Sequence, residues 1–351
     1  MVVTSEVRNG IGWLKINRPK VLNAINAEVV ELLTNALEDW QDDANVLFVC
    51  LSGAGEKGFC AGGDMRKFYD LGTEEVIPYA EQFFSTEYRL DALIHNYSKP
   101  IIAYMNGIVM GGGVGLSVGA SHRIVTEKTK WAMPEMNIGF FPDVGASFFL
   151  NQMPGYTGHY LALTAKVIKV NDAIYSGVAD YAIESREWET IEEKLLSQTW
   201  SQASINKDLD AFFDSNANRP AQVSELKVNQ DDINRHFQYD TVEKIVASLQ
   251  SEAANGDEWS TLTLRTLLAK SPTSLKVTLQ QLINGADKSL NECLAMEKNM
   301  AIHFMNTPDF YEGVRAVLVD KDGLPKWHPD KLEALTHSDI EHYFTTPSKD
   351  I

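Results

Sequence analysis

The sequence predicts an α/β protein, in which a core of alternating strands and helices is followed by a helical C-terminal region. Strand-like and helical segments alternate through roughly residue 180, and helical periodicity prevails beyond Glu184. The chain has 351 residues, which corresponds to about two domains of ordinary size. We therefore expect an α/β core over residues 1–205 and a helical region over residues 206–351.

Composition and charge limit the partners that the chain can bind. Hydrophobic residues make up 44% of the chain and charged residues 23%, as in ordinary globular proteins. The formal net charge of −17 disfavours a broad basic surface for nucleic acid or for an anionic membrane. No uninterrupted apolar run reaches about 18 residues, so no membrane span is predicted. An anionic ligand would therefore need a local cluster of cations.

Cysteine usage and the first residues bear on location. Cys50, Cys60 and Cys293 show neither a metal-ligand spacing nor a disulfide framework, which fits a reducing compartment. No grouping of His, Asp or Glu has a convincing metal spacing either, so no metal site is expected. The opening residues, MVVTSEVRNG, lack the basic-then-apolar order of a signal peptide. These observations predict a cytoplasmic protein.

The first predicted elements of the core are a hairpin, a helix and a buried strand. Two strand-like segments flank Asn9–Gly10, a dipeptide typical of tight hairpin turns. Asn26 fits the N-cap of a helix whose apolar residues fall on one face. The short apolar run VLFVCLSG follows, and its continuous apolarity is typical of a strand buried on both faces.

A glycine-rich loop and further elements continue the alternation. The loop GAGEKGFCAGGD precedes a helix that we expect to begin near Asp64, with this carboxylate as its cap. The segment EQFFSTEYRLDALIHNY has helical periodicity, and KPIIAYMNG is typical of another buried strand. These elements place the glycine-rich loop between a strand and a helix.

Five glycines occur in residues 110–119, MGGGVGLSVG, directly after a predicted strand. A dinucleotide fingerprint is excluded because Leu116 and Val118 stand where its third glycine would be, and no Gly-Lys-Ser/Thr ending indicates a P-loop. Two interpretations remain open. The first amides of a helix could point at a ligand that meets no Cβ atom, or the helix could pack closely on the sheet.

The loop FCAGGD could supply a second donor, because Gly62 and Gly63 also lie between a predicted strand and a predicted helix. Two backbone N–H groups that converge on one oxygen form an oxyanion hole, which stabilises charge as it develops on a carbonyl. The two glycine segments together therefore suggest a site for a reacting carbonyl.

Two acids lie in the apolar segment WAMPEMNIGFFPDVGAS, where Glu135 and Asp143 each follow a proline. Desolvation favours the protonated form of a carboxyl, which suits an acid or base that works near neutral pH. Structural alternatives remain for both acids. Glu135 could form a salt bridge at a strand end, and Asp143 could cap a helix through VGASFFL.

Taken together, these segments resemble the crotonase, or enoyl-CoA hydratase/isomerase, superfamily. The resemblance implies the ββα spiral core of that superfamily, with a helical C-terminal region that covers the site or mediates association into a homo-oligomer. The matching segments run in the family's order from about residue 10 to residue 330: NRPKVLNAIN, GFCAGGDMRKFYD, FFSTEYRLD, the long stretch from KPIIAYMNG through PDVGASFFL, and FYEGVRAVLVDKDGLPKW.

The resemblance implies that the substrate is a coenzyme A thioester and that no separate cofactor is needed. The thioester carbonyl would accept hydrogen bonds from the N–H groups of Gly63 and Gly112. Val21, Leu22 and Ala24 would line the entry that the pantetheine arm and adenine use. Candidate cations for the coenzyme A phosphates are Lys57, Arg66, Lys67 and Lys321.

The acids point to one reaction within the superfamily. Hydratases use two glutamates, and the position of one of them corresponds here to Gly115, which has no side chain. The other corresponds to Glu135, and Asp143 replaces a glycine. With Glu87, this pattern is that of the β-hydroxyacyl-CoA hydrolases, so the expected substrate is 3-hydroxyisobutyryl-CoA, as in valine breakdown, or a close analogue.

The resemblance also implies roles for the three acids. Glu135 would attack the acyl carbon or activate water, and Asp143 would orient substrate or water and assist proton transfer. Glu87 or Asp143 would bind the β-hydroxyl. Two alternatives stay open: an enoyl-CoA hydratase/isomerase acting on a short-chain acyl-CoA, and a non-catalytic acyl-CoA-binding protein.

Overall fold

The computed structural model describes residues 1–218 and 223–347. The chain forms two compact units, each assembled from three separate segments. The first unit comprises Met1–Gly63, Thr86–Ala132 and Val167–Val228, and the second comprises Asp64–Ser85, Met133–Lys166 and Asn229–Ile351. The predicted division at residue 205 cuts the chain only once, and it stays a prediction.

The first unit contains every strand that is present in the described residues. The strands are β1 (Val3–Arg8), β2 (Ile11–Ile16), β3 (Phe48–Gly53), β4 (Gly58–Cys60), β5 (Ile101–Met105), β6 (Ile108–Met110), β7 (His122–Thr126), β8 (Lys130–Ala132) and β9 (Tyr181–Ile183).

Two sheets organise this unit. The larger sheet has the order β1-β2-β3-β5-β7-β9, and only the β1–β2 pair is antiparallel. The smaller sheet, β4-β6-β8, is parallel throughout. Strands β3 and β5 are buried almost along their whole length, as expected for parallel strands covered on both faces.

The helices of the first unit connect and cover these strands. They are α1 (Ala27–Gln41), the second half of α2 (Met65–His95), α3 (Gly112–Val118), α6 (Val170–Ser176), α7 (Trp188–Ser197), α8 (Ile205–Asn216) and α9 (Glu225–Val228), with 3-10 turns at Pro19–Val21 and Ser185–Glu187. Helix α2 changes direction at Gly72, whose φ of 72° and ψ of 175° are not helical.

The second unit is helical. It contains the first half of α2, α4 (Ala146–Phe149), α5 (Thr157–Thr164), α10 (Gln230–Phe237), α11 (Val242–Ala254), α12 (Glu258–Leu268), α13 (Pro272–Gly285), α14 (Leu290–Phe304), α15 (Pro308–Val314) and α16 (His337–Glu341). Single turns occur at Glu135–Ile138, Leu150–Gln152, Arg315–Val319, Leu332–Ala334 and His342–Phe344.

The local sequence signals explain where the first elements begin and end. Asn9 and Gly10 have φ of 50° and 75°, the left-handed values that a tight hairpin turn between β1 and β2 requires. The Asn26 side chain accepts a hydrogen bond from the Val29 N–H and so caps α1. Helix α2 begins at Met65, directly after Asp64. The predicted hairpin and α1 cap are therefore confirmed.

Each unit has its own apolar core. In the first unit, Ile11, Phe48 and Ile102 on one face of the large sheet pack with Leu195 of α7 and Phe213 of α8. In the second unit, aromatic rings from segments far apart in sequence pack together; they belong to Phe84, Phe140, Phe141, Phe304 and Phe310. The α/β class with a parallel core and many C-terminal helices is confirmed. Within the described part of the chain, no helix has the length and apolarity needed to cross a bilayer.

Candidate active site

Two backbone amides of the first unit lie close together. Gly112 is the first residue of α3, so its N–H has no acceptor within the helix. Gly63 forms an isolated parallel bridge with Ile25 in which the neighbouring Gly62 carbonyl is the acceptor, at 2.8 Å. Among the described residues, no backbone carbonyl accepts a hydrogen bond from the N–H of Gly63 or Gly112. Neither donor is therefore paired with a backbone carbonyl of the described residues.

Glycine at position 112 leaves a narrow space between the Gly63 amide and two side chains. A Cβ atom built there would lie 3.4 Å from the Gly63 nitrogen, 2.5 Å from Glu87 Oε1 and 2.9 Å from Ile25 Cδ1. The Glu87 carboxylate, on α2, is buried beside this glycine with only 2% of its surface exposed. Three of the predicted site residues, Gly63, Gly112 and Glu87, are thus neighbours.

The neighbouring Gly113 has a different reason to be glycine. Its Cβ atom would lie 2.3 Å from the Cys60 carbonyl oxygen, so α3 packs directly on the backbone of β4. Close packing is therefore observed at Gly113. At Gly112 the glycine leaves space beside an amide donor, and the interpretation that this amide points at a ligand stays a prediction.

A cavity of about 330 Å³ opens in the first unit between the turn at Pro19–Val21 and the loop that precedes β4. Leu22 and Lys57, both predicted to contact coenzyme A, line this cavity together with Lys20, which the sequence analysis did not single out. Val21 and Ala24 are not among the lining residues, and Val21 is 48% exposed.

Asn23 holds the two sides of this cavity together. Its Nδ2 donates to the carbonyls of Ala54 at 3.0 Å and Gly58 at 2.8 Å, and its Oδ1 accepts from the Arg18 N–H at 2.9 Å. Leu22 and Asn23 both have left-handed φ, of 54° and 58°. A buried amide thus fixes a turn whose backbone conformation is unfavourable for residues with side chains.

The other predicted cations belong to the second unit. Arg66 and Lys67 lie exposed in the first turn of α2, and Arg66 is 3.6 Å from Asp70. Lys321 is exposed and has a left-handed φ of 57°. The cluster of Arg315 with Glu312, Asp320 and Asp322, at 2.7–2.8 Å, fixes the segment that carries Lys321.

The two predicted acids lie in one buried segment of the second unit. Glu135 is the first residue of the turn Glu135–Ile138, and its backbone carbonyl accepts a hydrogen bond from the Phe140 N–H at 3.1 Å. Glu135 is 7% exposed. Asp143 is 6% exposed. Phe140 and Phe141 lie between them, with ring centroids 4.5 Å apart. The apolar surroundings that the sequence predicts for these carboxyls are therefore present.

Asp143 does not occupy the N-cap that was its structural alternative. Helix α4 begins at Ala146 and its N-cap is Gly145. The backbone before it is unusual, because Val144 and Gly145 have φ of 53° and 89°. A left-handed conformation at a β-branched residue is uncommon and costs about 1–3 kcal/mol, so the surroundings must impose it.

A fully buried acid from α14, Glu297, contacts this turn and was missed by the sequence analysis. Its Oε2 accepts from the Gly145 N–H at 2.7 Å, and its Oε1 accepts from the Ser147 N–H at 2.8 Å and the Ser147 hydroxyl at 2.6 Å. Burial raises the pKa of Glu297 to about 7. The nearby charge of Asp143 also raises this pKa, whereas the hydrogen bonds from Ser147 and Gly145 lower it.

Gln281 of α13 completes the support. Its Nε2 donates to the Pro142 carbonyl at 2.6 Å and to the Ser147 hydroxyl at 2.9 Å. A sequence signal for Glu297 did exist: it shares one face of α14 with the buried residues Cys293, Met300 and Phe304. An acid within an apolar helix face is unusual and calls for a partner.

Comparison with known proteins identifies the family. The profile described as Enoyl-CoA hydratase/isomerase matches residues 11–344. The chain therefore belongs to the enoyl-CoA hydratase/isomerase family, which confirms the resemblance.

Individual relatives and solved structures are more specific. The chain is similar to proteins named 3-hydroxyisobutyryl-CoA hydrolase, mitochondrial, from Xenopus laevis, with 41% identity over 95% of this chain and 86% of the relative. The Homo sapiens protein of that name is 38% identical over 97% of this chain and 88% of the relative. Among solved structures, carnitinyl-CoA dehydratase from Mycobacterium thermoresistibile has a TM-score of 0.89 and 35% identity over 99% of this chain and 97% of that chain.

The predicted cytoplasmic location was wrong. The 3-hydroxyisobutyryl-CoA hydrolases from Xenopus laevis, Homo sapiens, Xenopus tropicalis and Mus musculus are all designated mitochondrial. A low cysteine count argues against an oxidising compartment, but it does not distinguish one reducing compartment from another.

Proposed function

We propose that this protein hydrolyses 3-hydroxyisobutyryl-CoA to 3-hydroxyisobutyrate and coenzyme A. The observation that carries this proposal is the pair of amides at Gly63 and Gly112, which lie close together beside the buried Glu87 carboxylate. The names of the relatives, at 36–41% identity over most of the chain, support the choice of substrate.

The amide pair is the electrostatic part of the mechanism. The N–H groups of Gly63 and Gly112 donate to the thioester carbonyl oxygen, and these bonds strengthen as negative charge develops on that oxygen. Because both donors belong to the backbone, they need no reorganisation during the reaction. Removal of one such donor typically costs about 10²–10³ in rate.

Glu135 acts at the acyl carbon by one of two routes. In the covalent route its carboxylate attacks the acyl carbon, the C–S bond breaks, the thiolate leaves and is protonated, and water hydrolyses the resulting anhydride. In the general-base route Glu135 takes a proton from water, the hydroxide attacks, and the proton passes to the leaving sulfur. Asp143 orients the substrate or water and assists proton transfer.

The choice of hydrolysis over hydration depends on the acids. Water addition to a double bond uses a second carboxylate at the position of Gly115, which has no side chain to supply it. Glu87 instead offers a buried carboxylate next to the Gly112 amide, where it accepts a hydrogen bond from the β-hydroxyl of the acyl group. The coenzyme A moiety occupies the cavity lined by Leu22 and Lys57.

A panel assay tests this proposal. The purified chain is incubated with 3-hydroxyisobutyryl-CoA, another β-hydroxyacyl-CoA and an enoyl-CoA, while free thiol and enoyl absorbance are recorded together. We expect thiol release from the β-hydroxyacyl thioesters, fastest from 3-hydroxyisobutyryl-CoA. Loss of enoyl absorbance without thiol release would identify a hydratase instead, and no turnover of any thioester would favour a binding protein.

A single turnover in ¹⁸O-water distinguishes the two chemical routes. Mass analysis of the peptide that contains Glu135 detects ¹⁸O in its carboxyl group when water opens an anhydride at the enzyme carbon. Label in this carboxyl supports the covalent route, whereas label in the released acid alone favours the general-base route.

A further inference from the structure

The turn that carries Asp143 is supported on both sides by helices that follow it by about 140–150 residues. Before Asp143, the Pro142 carbonyl accepts from Gln281 of α13 at 2.6 Å. After it, the Gly145 N–H donates to Glu297 of α14 at 2.7 Å. Within the turn, the Asp143 carbonyl accepts from the Ala146 N–H at 3.0 Å. The backbone around this acid is therefore fixed at three points between Pro142 and Gly145.

This support opposes a conformational preference of the chain. Val144 and Gly145 both have left-handed φ, and a Cβ atom on Gly145 would lie 2.8 Å from Leu290 Cδ1. Without external partners, a turn with a β-branched residue at positive φ would relax to other conformations. The bonds from Glu297 and Gln281 are the partners that hold it.

The groups around Glu297 also indicate more than a structural cap. The carboxylate is buried among the apolar residues of α14, where a hydrophobic side chain would avoid the cost of desolvation. Besides burial, the charge of Asp143 raises the pKa of Glu297, and Glu297 in turn raises the pKa of the Cys293 thiol. Ser147 and Gly145 donate hydrogen bonds to the Glu297 carboxylate. Gln281 Nε2 also donates to Glu297 Oε1, at 3.4 Å. The carboxyl is therefore held by donors of the turn and by the second supporting residue.

We propose that Glu297 and Gln281 are positioning residues, which hold the turn 142–147 so that Asp143 is correctly oriented for thioester hydrolysis. This inference rests on the proposed function, because it assigns Asp143 a part in that reaction. Neither residue touches the substrate; both act through the backbone on either side of Asp143. An acid misplaced by about 1 Å can cost up to about 10² in rate.

The substitution E297Q is the main test. It keeps the size of the side chain but replaces one acceptor oxygen by an NH₂ group, so one of the two backbone donors loses its partner. We expect kcat for thiol release to fall by about 10- to 100-fold with little change in KM. The matched control is E258Q, the same change at an exposed position of α12, which we expect to leave both constants unchanged.

A double-mutant cycle with D143N separates positioning from simple destabilisation. If Glu297 acts through Asp143, E297Q should change kcat by less than about 3-fold once Asp143 is already neutralised. A loss of the same size in both backgrounds would overturn the inference, because Glu297 would then act independently of Asp143. An unchanged kcat in E297Q alone would overturn it too.

Further variants cover the case in which E297Q does not fold. S147A removes the hydroxyl that bonds to both Glu297 and Gln281, and Q281L removes the donor to Pro142. We expect both substitutions to lower kcat when Asp143 is intact and to have little effect on kcat when they are combined with D143N. Far-ultraviolet circular dichroism checks that each variant folds. Additive losses in both variants would contradict the inference.

The same experiment distinguishes failure of the inference from failure of the proposed function. No thiol release by the wild-type protein would refute the function, whatever the variants do. Hydrolysis by the wild type and a lower but measurable rate in D143N, with full activity in folded E297Q and Q281L, would leave the function intact and refute the positioning role alone.

Discussion

The amides of the first unit and the acids of the second unit are fixed by different kinds of structure. Gly63 and Gly112 belong to a local backbone arrangement, in which the amides are oriented by a short helix and by a bridge to Ile25. Asp143 lies on a turn that depends on the side chains of Gln281 and Glu297, from helices near the other end of the chain.

This difference changes what each region tolerates. Where a donor is a backbone amide, function depends on the absence of a side chain, and a methyl group at position 112 would displace the ends of the Glu87 and Ile25 side chains. Where function depends on a carboxylate, a substitution that preserves shape isolates the effect of charge. The first region should therefore respond to added volume and the second region to altered charge and hydrogen bonding.

The largest effect is expected for E135Q, which preserves the shape of the side chain and removes its charge. Without a nucleophile or base, thiol release from 3-hydroxyisobutyryl-CoA should fall by about 10⁴-fold, the upper part of the range for general acid–base catalysis. Stopped-flow thiol detection measures the rate, and thermal unfolding checks that the protein still folds. Retention of more than a tenth of the activity would show that another group does the chemistry.

Substitution of Gly112 by alanine should come next. The new Cβ atom would meet the ends of the Glu87 and Ile25 side chains, which can move, so the protein should fold while the amide donor becomes misaligned. We expect kcat to fall by about 10²–10³.

G113A is the matched comparison for G112A. Its Cβ atom would lie 2.3 Å from the Cys60 carbonyl, and backbone cannot move aside as a side-chain end can. We expect this variant to lose thermal stability rather than to show a selective loss of kcat. If G112A and G113A had the same effects on unfolding and on kcat, the distinction between the two glycines would be wrong.

A smaller effect should appear in the pH dependence of stability. Burial raises the pKa of Glu297 from an ordinary value of 4.5 to about 7, so folding favours its protonated form. The contribution of Glu297 is fully present below pH 4.5 and is lost as pH rises through 7; it amounts to about 3 kcal/mol. The free energies of unfolding of the wild type and E297Q, measured with urea between pH 5 and 8, should converge or cross as pH rises. A constant difference would contradict the raised pKa.

The smallest expected effect concerns the cations of the first unit. Lys57 is exposed and lines the 330 Å³ cavity, so K57A should raise KM by about 2- to 5-fold and leave kcat unchanged. The effect should shrink in high salt, since exposed charges are screened. K15A, an exposed lysine on β2, serves as the control. A lower kcat in K57A would mean that this lysine does more than bind phosphate.

The same difference between the regions explains what the sequence could predict. The turn at Asn9–Gly10 and the Asn26 cap depend on neighbours within a few residues, and local patterns reveal such features. The glycine segments around Gly63 and Gly112 are also visible locally, although the two amides come together only through the fold. The bond between Gly145 and Glu297 spans 152 residues, and no local pattern indicates which buried acid contacts which turn. Only the unexpected acid on the apolar face of α14 gave a hint.

The central claim, that two backbone amides polarise the thioester carbonyl, is tested most directly by infrared spectroscopy. A thioester labelled with ¹³C at the carbonyl is bound to E135Q, which we expect to bind but not to cleave it, and to the double variant G112A/E135Q. We predict that the carbonyl stretch shifts to lower frequency in E135Q relative to water and that most of this shift disappears in the double variant. Equal frequencies in both complexes would contradict the claim.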